Sequence, residues 1–516
     1  MKSTRAFFWV SAVVLSAGLW ACGSSSKATT GGSGASAGAS SASSGTTSSS
    51  GAGGSTGDAG NDASVPIDPS AFYVATTGDD TSPGTLASPF LTLGQAQKAM
   101  RASSTVKTTY VRAGTYEPPQ TGGTCVWGNA SGSSIELTSA DQGETWSFYP
   151  PDGYGSAILD GQSTLGNSGG TGGGNGVGCA FAASQVSDVT IVGLQMQSYL
   201  YASVWAYAAT NLKILDNEVH DTRSASFSTG AVFLVASPGA MVANNYVHDT
   251  AYMGIVVTDN SAGADQISNS VVSGNVVLDT CTWPAVSGGG NDQNGGDCGG
   301  IYLWSQHPSA STNMLIENNY VRDVNPASMG AGDYGSCCAQ GIYLDDGMNN
   351  ATVRGNVVTG AKSACFQIHG GQDNVIQGNV CDLGASGKEA IVVYQNDMLT
   401  QMTGNVFEDN VVVAGSAGAG SGFVGSNTPP NPMTIKNNAY FNYVGSAVSS
   451  AGASGAGTDA SPTYVDPGIS CWAPTLAGTS PVKASPVSFP GITGGWGWPG
   501  FAIPQTGTAP SWPHGC

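Results

Sequence analysis

The stretch Gly355-Asn356-Val357-Val358, followed 23 residues later by Gly378-Asn379-Val380, decides the fold. The same unit, an asparagine and then an apolar pair, recurs along the chain. It is present as Leu215-Asp216-Asn217-Glu218-Val219, Asn244-Asn245-Tyr246-Val247, Gly274-Asn275-Val276-Val277 and Asn318-Asn319-Tyr320-Val321, then as Gly404-Asn405-Val406-Phe407 and Asn437-Asn438-Ala439-Tyr440. Successive asparagines are spaced by 28, 30, 44, 37, 23, 26 and 33 residues, so a minimal unit near 23 residues carries loops of variable length. Helical repeats of that period need amphipathic runs of about ten residues or more. The apolar runs here, such as Val189 to Val192 and Val375 to Ile376, are short and separated by Gly and Asn, which selects strands. Units that bury an apolar face only against their neighbours stack into a solenoid. Asparagine suits its corners, because it tolerates left-handed backbone and its stacked amides hydrogen-bond from coil to coil.

Composition agrees with a turn-rich β protein. The 516 residues include 76 Gly, and only 9% are charged, so Glu, Lys and Arg are too scarce for a helical bundle. With 15 Lys+Arg against 34 Asp+Glu the net charge is -19, which excludes a phosphate-gripping surface, and no nucleic-acid partner is expected.

Lys2 and Arg5 precede an apolar run from Phe7 to Leu19, which ends in Leu19-Trp20-Ala21-Cys22 and reads as a secretory signal. It resembles a bacterial lipoprotein signal, cut before Cys22, whose thiol then carries the lipid; Trp20 departs from the small residue usual at its position. The expected organisation is a signal over 1–21, a Gly/Ser-rich tether over 22–65 too poor in apolar surface to fold, a solenoid over 66–466 and a terminal cover over 467–516. This implies a monomer, lipid-anchored in the cell envelope at the outer membrane or cell surface. Eleven cysteines less Cys22 leave ten, an even number in an oxidising compartment, which favours disulfides. Cys281 with Cys298, Cys365 with Cys381 and Cys471 with Cys516 are local staples, though spacing leaves the connectivity open. The neighbours Cys337 and Cys338 are harder to bridge, because a bond between adjacent residues strains disulfide geometry.

Over residues 71 to 466 the chain resembles the right-handed parallel β-helix family, the fold shared by pectate lyases and several glycoside hydrolases. Besides the repeat, the resemblance rests on Phe72-Tyr73-Val74-Ala75 with Gly78-Asp79-Asp80, Gly84-Thr85 and Ser88-Pro89-Phe90 at the entry, and on Tyr464-Val465-Asp466-Pro467 at the close. It implies an all-β solenoid with a cap helix over 90–102, where Leu93, Ala96, Gln97 and Met100 fall at helical spacing. Tyr110 to Tyr116 then opens the first coil.

Aligning coils without gaps lays Gly341–Gly347 beside Ala364–Gly370, with Ala390–Asn396 on one side and Gly300–Gln306 on the other. Strand side chains alternate, so Tyr302, Trp304, Tyr343 and Asp345 are expected on one outward face, and Tyr394 joins that column two coils on. The two longest insertions, Cys281 to Cys298 and Asn325 to Gln340, enter immediately before these strands and are expected to wall a pocket over Asp345. An acidic groove floored by aromatic rings suits a polysaccharide or oligosaccharide. Glycosidic cleavage requires two carboxyl groups, about 5 to 5.5 Å apart for retention or about 6.5 to 9.5 Å for inversion. Asp345 and Asp346 lead the catalytic candidates, with Glu389 or Asp373 as the second group and His369 as a base or hydrogen-bond partner; Tyr302, Trp304, Tyr343, Gln367 and Tyr394 are the expected substrate contacts. The run from Gly341 to Asp346, followed by His369-Gly370-Gly371-Gln372-Asp373-Asn374, looks similar to motifs in β-helix glycosidases.

Structural roles compete with each of these. Asp345 and Asp346 also fit a coil corner capped through backbone amides, Glu389 beside Lys388 fits a solvated turn, and the aromatic row fits rings that merely cover the sheet. A lyase needs a basic residue and a cation, and the few basic residues near the face are chiefly Lys362, Lys388 and Arg354, so hydrolysis is modestly favoured. No cofactor is expected, with calcium the alternative: Asn291-Asp292-Gln293-Asn294-Gly295-Gly296-Asp297 offers oxygen ligands without a complete EF-hand pattern. In a second column, His220-Asp221-Thr222, His248-Asp249-Thr250, Asp279 and Asp323, turn capping accounts for the residues more simply than metal binding does. Two readings follow: an envelope-anchored polysaccharide-processing enzyme, hydrolase before lyase, or a non-catalytic β-helix that binds glycan or a partner at the cell surface.

Overall fold

The computed structural model describes residues 67–119, 125, 132–163, 176–223, 230–259, 266–282, 297–305, 307, 312–325, 339–383, 389–394, 402–415, 424–425, 431, 433–443, 457–464, 466–467, 497–498 and 501–502. The signal, the tether with Cys22, residues 291–296 of the calcium-like loop, Lys388, Cys337, Cys338, Cys471, Cys516 and nearly all of the terminal cover lie outside the described residues.

At each coil corner one residue takes the left-handed conformation and the next is a buried asparagine. The left-handed residues are Asp216 (φ 53°), Asn244 (57°), Gly274 (65°), Asn318 (56°), Gly355 (63°), Gly378 (62°), Asp409 (55°) and Asn437 (59°). Only Gly, Asn or Asp stands there, the types that pay least for positive φ. The strained position is therefore the residue before the recurring amide, not the amide itself. The buried asparagines instead form a ladder. Asn275 Nδ2 donates to Val242 O and to Asn319 Oδ1, both at 2.9 Å, and its backbone N–H donates to that same oxygen at 3.0 Å. The pattern climbs through Asn217, Asn245, Asn275, Asn319, Asn356, Asn379, Asn410 and Asn438, and ends on the Asp459 carboxylate, which accepts Asn438 N–H at 3.0 Å and Nδ2 at 2.8 Å. Asn405, expected as a rung here, stands in another corner, where Asn374 Nδ2 donates to it at 3.2 Å. Its Gly404-Asn405 signature is locally identical, so only the pairing tells the two corners apart.

Strands on either side of these corners stack as parallel sheets. Among the described residues there are sheets of 12, 10 and 11 strands, and a coil gives one strand to each, as Val271–Ser273, Val276–Thr280 and Cys298–Ser305 do. This is a parallel β-helix. Its interior holds apolar columns in register: Ile255, Ile301, Ile342, Phe366 and Ile391 follow one another from coil to coil and are all buried. Each such side chain contributes about 1.5 to 3 kcal/mol by leaving water.

The helix Leu93–Ala102 buries Leu93, Ala96, Gln97 and Met100, the four residues its spacing singles out. Thr92 caps it by accepting Gln95 N–H at 3.2 Å, and Gln97 Nε2 donates to Glu136 O at 2.6 Å, tying it to Ser133–Leu137 at the end of the ten-stranded sheet. At the entry, a Cβ on Gly78 would lie 2.1 Å from Phe90 O, so only glycine fits. Disulfides join Cys281 to Cys298 and Cys365 to Cys381, two of the expected staples, and Cys125 to Cys179.

Two predictions follow from the buried polar groups. Asn319→Ala strands Asn275 N–H, Asn275 Nδ2 and Val272 O, and should lower unfolding stability in urea by roughly 3 kcal/mol or more. Glu144 is wholly buried, accepts, among the described residues, only Trp146 Nε1 at 3.2 Å, and is pushed up to about 8 by burial and then by the Asp141 charge. The folded state keeps this proton while the unfolded chain releases it near 4.5, so stability should fall as pH rises from about 4.5 to about 8. In Glu144→Gln that fall should be markedly shallower in thermal melts.

Candidate active site

The strands Cys298–Ser305, Ala339–Asp346, Ala364–His369 and Glu389–Tyr394 lie side by side in the ten-stranded sheet. Tyr302 pairs with Tyr343 and Trp304 with Asp345, as the alignment predicts. The next two coils differ from it by one residue each. Ile342 pairs with Phe366 and Ala364 with Glu389, so Tyr343 meets Gln367 and Asp345 meets His369. The two offsets cancel, and Tyr394, in register with His369, still falls in the Asp345 column two coils on. Gapless alignment on the asparagines fails because the corners on either side of this sheet vary in length, while the ladder corner does not.

This register brings Asp345, Asp346 and His369 together. Asp345 accepts a hydrogen bond from Tyr302 OH, one from the Asp346 backbone N–H at 2.9 Å, and shares one with His369 Nδ1 at 2.6 Å. Asp346 takes the left-handed conformation (φ 49°), accepts from Trp304 Nε1 and places Oδ1 3.8 Å from His369 Nδ1. The corner-capping role is thus partly real, since Asp345 caps an amide while it holds the imidazole. The side chain of Asp345 is 5% exposed against 23% for Asp346 and 30% for His369. Asp346, His369 and the partly buried Trp304 are therefore the accessible members of the cluster.

The tyrosines do not floor an open groove. Tyr302 and Tyr343 are 9% and 1% exposed, and their rings pack edge to face with centroids 5.0 Å apart. Their hydroxyls point at carboxylates: Tyr302 at Asp345 and Tyr343 at Asp297 Oδ1, 3.1 Å away. Burial, then neighbouring carboxylate charge, raises both phenols well above the usual tyrosine range, so they stay neutral donors. Gln367 is also buried, accepting from Gln340 Nε2 at 2.5 Å. The accessible aromatic surface expected for substrate contact reduces to Trp304, with Tyr394 placed by register alone.

Glu389 and Asp373 do not join the cluster. Glu389 opens its strand opposite Ala364, five residues from the Tyr394 position that faces His369, or about 16 Å along the sheet. Asp373 is an exposed left-handed corner residue (φ 56°) directly before Asn374, where its backbone role suffices to explain it. The carboxyl group that the sequence reading missed as a catalytic candidate is Asp297. It was visible only as the last residue of the calcium-like loop, yet it adjoins Cys298, whose disulfide to Cys281 fixes that end of the insertion. Burial, then the Asp345 charge, push Asp297 up to about 7, against the opposing charge of His369. His369 shows the converse balance: burial opposes its charge, but the Asp345 hydrogen bond and the charges of Asp345, Asp346 and Asp297 push it up to about 9. One acid that keeps a proton near neutrality thus sits by an imidazolium and two further carboxyl groups. One donor atom each from Asp345, Asp346 and His369 also lie within 4.8 Å of one another, a set able to take a divalent ion.

No protein-family model and no curated protein matches the sequence. Among solved structures, the chain is similar to XylC in complex with xylose, at 11% identity and a TM-score of 0.45, over 81% of this chain and 94% of that one. It is similar to the lacto-N-biosidase from Eubacterium ramulus at 12% identity and 0.49, over 77% of this chain and 66% of that one. A third is PfbA, a surface adhesin of Streptococcus pneumoniae, at 10% identity and 0.41, over 67% and 85%. These are likenesses of architecture, and no activity is assigned from them.

The His369–Asp345 pair generates a signed pH prediction. The folded-state pKa of His369 is raised, so the stabilisation it brings is complete below about 6.5 and is lost as pH rises through about 9. His369→Gln should melt below wild type at pH 6, and the gap should close by about pH 10.

Proposed function

We propose that this chain is a glycoside hydrolase acting on a polysaccharide or oligosaccharide at the cell envelope, held there by lipid on Cys22. The observation that carries the reading is the unlike environment of the carboxyl groups around His369. Asp297 retains a proton near neutrality, whereas Asp346 is accessible and lies beside an imidazolium, with Oδ1 3.8 Å from His369 Nδ1. In this scheme Asp297 protonates the glycosidic oxygen as the bond breaks, and Asp346 acts on the sugar carbon or on a water, as nucleophile or base. Asp345 touches no substrate; it positions the His369 ring. Trp304 offers an apolar face to a sugar ring and steers Asp346 through its indole N–H.

A second reading, a glycan-binding β-helix without catalysis, is favoured by one feature: Asp345 is buried and already hydrogen-bonded at both oxygens. The two separate by turnover. The full-length chain, assayed on a panel of polysaccharides and aryl glycosides, should hydrolyse at least one of them. Asp346→Asn and Asp297→Asn should each lower kcat by about 100-fold or more. The wild-type rate should fall on the alkaline side of about pH 7 as Asp297 ionises, and Asp297→Asn should lack that limb. Binding without turnover across the panel would establish the second reading instead. For the anchor, Cys22→Ala should move the chain from the membrane fraction to the soluble fraction of the cell that makes it.

A further inference from the structure

The eleven-stranded sheet carries a histidine pair that the proposed reaction does not use. Glu218 and His220 lie in one strand, Glu218–His220, and His248 lies in register with His220 one coil away, in Tyr246–His248. The rings stack with centroids 4.8 Å apart and planes 8° apart. The sequence reading joined these histidines to a column of corner aspartates, and the structure divides that column. Asp221, Asp249, Asp279 and Asp323 all occupy left-handed corners, while the histidines stand on the sheet face just before them.

Two of these corner aspartates, Asp221 and Asp249, nevertheless reach back to the histidine that precedes them. His220 Nδ1 lies 2.8 Å from Asp221 Oδ2 and His248 Nδ1 lies 2.7 Å from Asp249 Oδ2. A carboxylate on Nδ1 fixes the proton there and leaves the Nε2 lone pair for another partner, the arrangement by which second-layer carboxylates orient metal-binding imidazoles. Two such locks, repeated one coil apart, prepare both Nε2 atoms alike. His220 Nε2 accepts from Gln195 Nε2 at 2.9 Å, and His248 Nε2 lies 3.3 Å from Glu218 Oε1. With Nδ1–H committed to Asp249, the Glu218 contact is a hydrogen bond when Nε2 carries a proton, and a cation bound here would take that proton's place.

We infer that Glu218, His220 and His248 form a binding site for a zinc-class divalent cation, with Asp221 and Asp249 orienting the two imidazoles. The three donor atoms lie within 4.8 Å of one another. Because the two ring planes are nearly parallel, bonds of about 2.0 to 2.2 Å require the imidazoles to tilt toward each other as well as draw in. The side chains are 12% to 14% exposed at the sheet surface, and the movement would shift the His248 ring against Tyr246, on which it stacks. Two imidazoles and one carboxylate suit zinc better than calcium or magnesium, which favour all-oxygen shells. Three protein ligands leave a fourth position for water or an external donor. The ion would also clamp two successive coils, adding a cross-strand bond to the sheet.

Zinc chloride added to the metal-stripped full-length chain, followed by equilibrium dialysis and calorimetry, tests the site. The wild type should bind zinc and melt at a higher temperature with it. His220→Gln, His248→Gln and Glu218→Gln should each lose one equivalent and the associated shift in melting. Asp221→Asn and Asp249→Asn should keep the stoichiometry but bind about 10- to 100-fold more weakly. His369→Gln, which alters the other ligand-like cluster, should retain the equivalent assigned here, so a single site at Asp345, Asp346 and His369 is told apart. Cobalt in place of zinc should show visible absorption bands that His248→Gln abolishes. Unchanged zinc stoichiometry in folded His220→Gln and His248→Gln, or no zinc bound by the wild type, overturns the assignment.

Discussion

The asparagine ladder is the constraint on which the rest of the structure depends. Each rung satisfies buried backbone groups on two coils, as Asn356 does by donating from Nδ2 to Ile316 O at 2.9 Å and to Asn379 Oδ1 at 3.0 Å. A rung cannot slip without orphaning several buried donors and acceptors at once, so the ladder sets both the stacking distance and the register of the two sheets that meet at it. The 12- and 11-stranded sheets inherit that register directly. The ten-stranded sheet does not adjoin the ladder, and its neighbouring corners accept insertions. Its register therefore shifts by single residues against the asparagines: 23 residues separate Asn356 from Asn379, whereas Ile342 pairs with Phe366.

That freedom is where the chemistry collects. On the sheet with variable corners, strands from three coils place Trp304, Asp345 and His369 in one row, and the insertion that ends at Cys298 brings Asp297 to Tyr343. The two buried tyrosines organise the cluster, since each presents a neutral hydroxyl to a carboxylate and each packs on the other's ring. Burial and neighbouring charge then move two titrations in the same direction: Asp297 is driven up by burial and negative neighbours, and His369 is driven up by negative neighbours against its own burial. The grouping of these side chains is a property of the stacked coils, not of any one segment.

The histidine pair on the eleven-stranded sheet follows from the opposite circumstance. There the ladder holds register rigidly, so a chemical motif repeated in sequence, His-Asp at 220–221 and 248–249, becomes a repeated motif in space one coil apart. The fold converts sequence repetition into juxtaposition wherever corner length is constant.

The solenoid itself was legible in the sequence, because an asparagine corner followed by an apolar pair is a local signal that recurs, and because Leu93, Ala96, Gln97 and Met100 declare a helix by their period. Tyr302, Trp304, Tyr343 and Asp345 could be placed on one face for the same reason: strand alternation is local. What the tertiary structure alone decided was every quantity that depends on pairing across coils. Asn405 and Asn410 carry comparable local signatures, and only hydrogen bonding shows which one stands on Asn379. Glu389 and Asp373 sit close to His369 in chain position yet fall away from it, while Asp297, 72 residues earlier, arrives beside its partners. Sequence reports which side chains can alternate and turn; distance between coils, exposure of a carboxylate and the proton it keeps arise only when register and burial are fixed together.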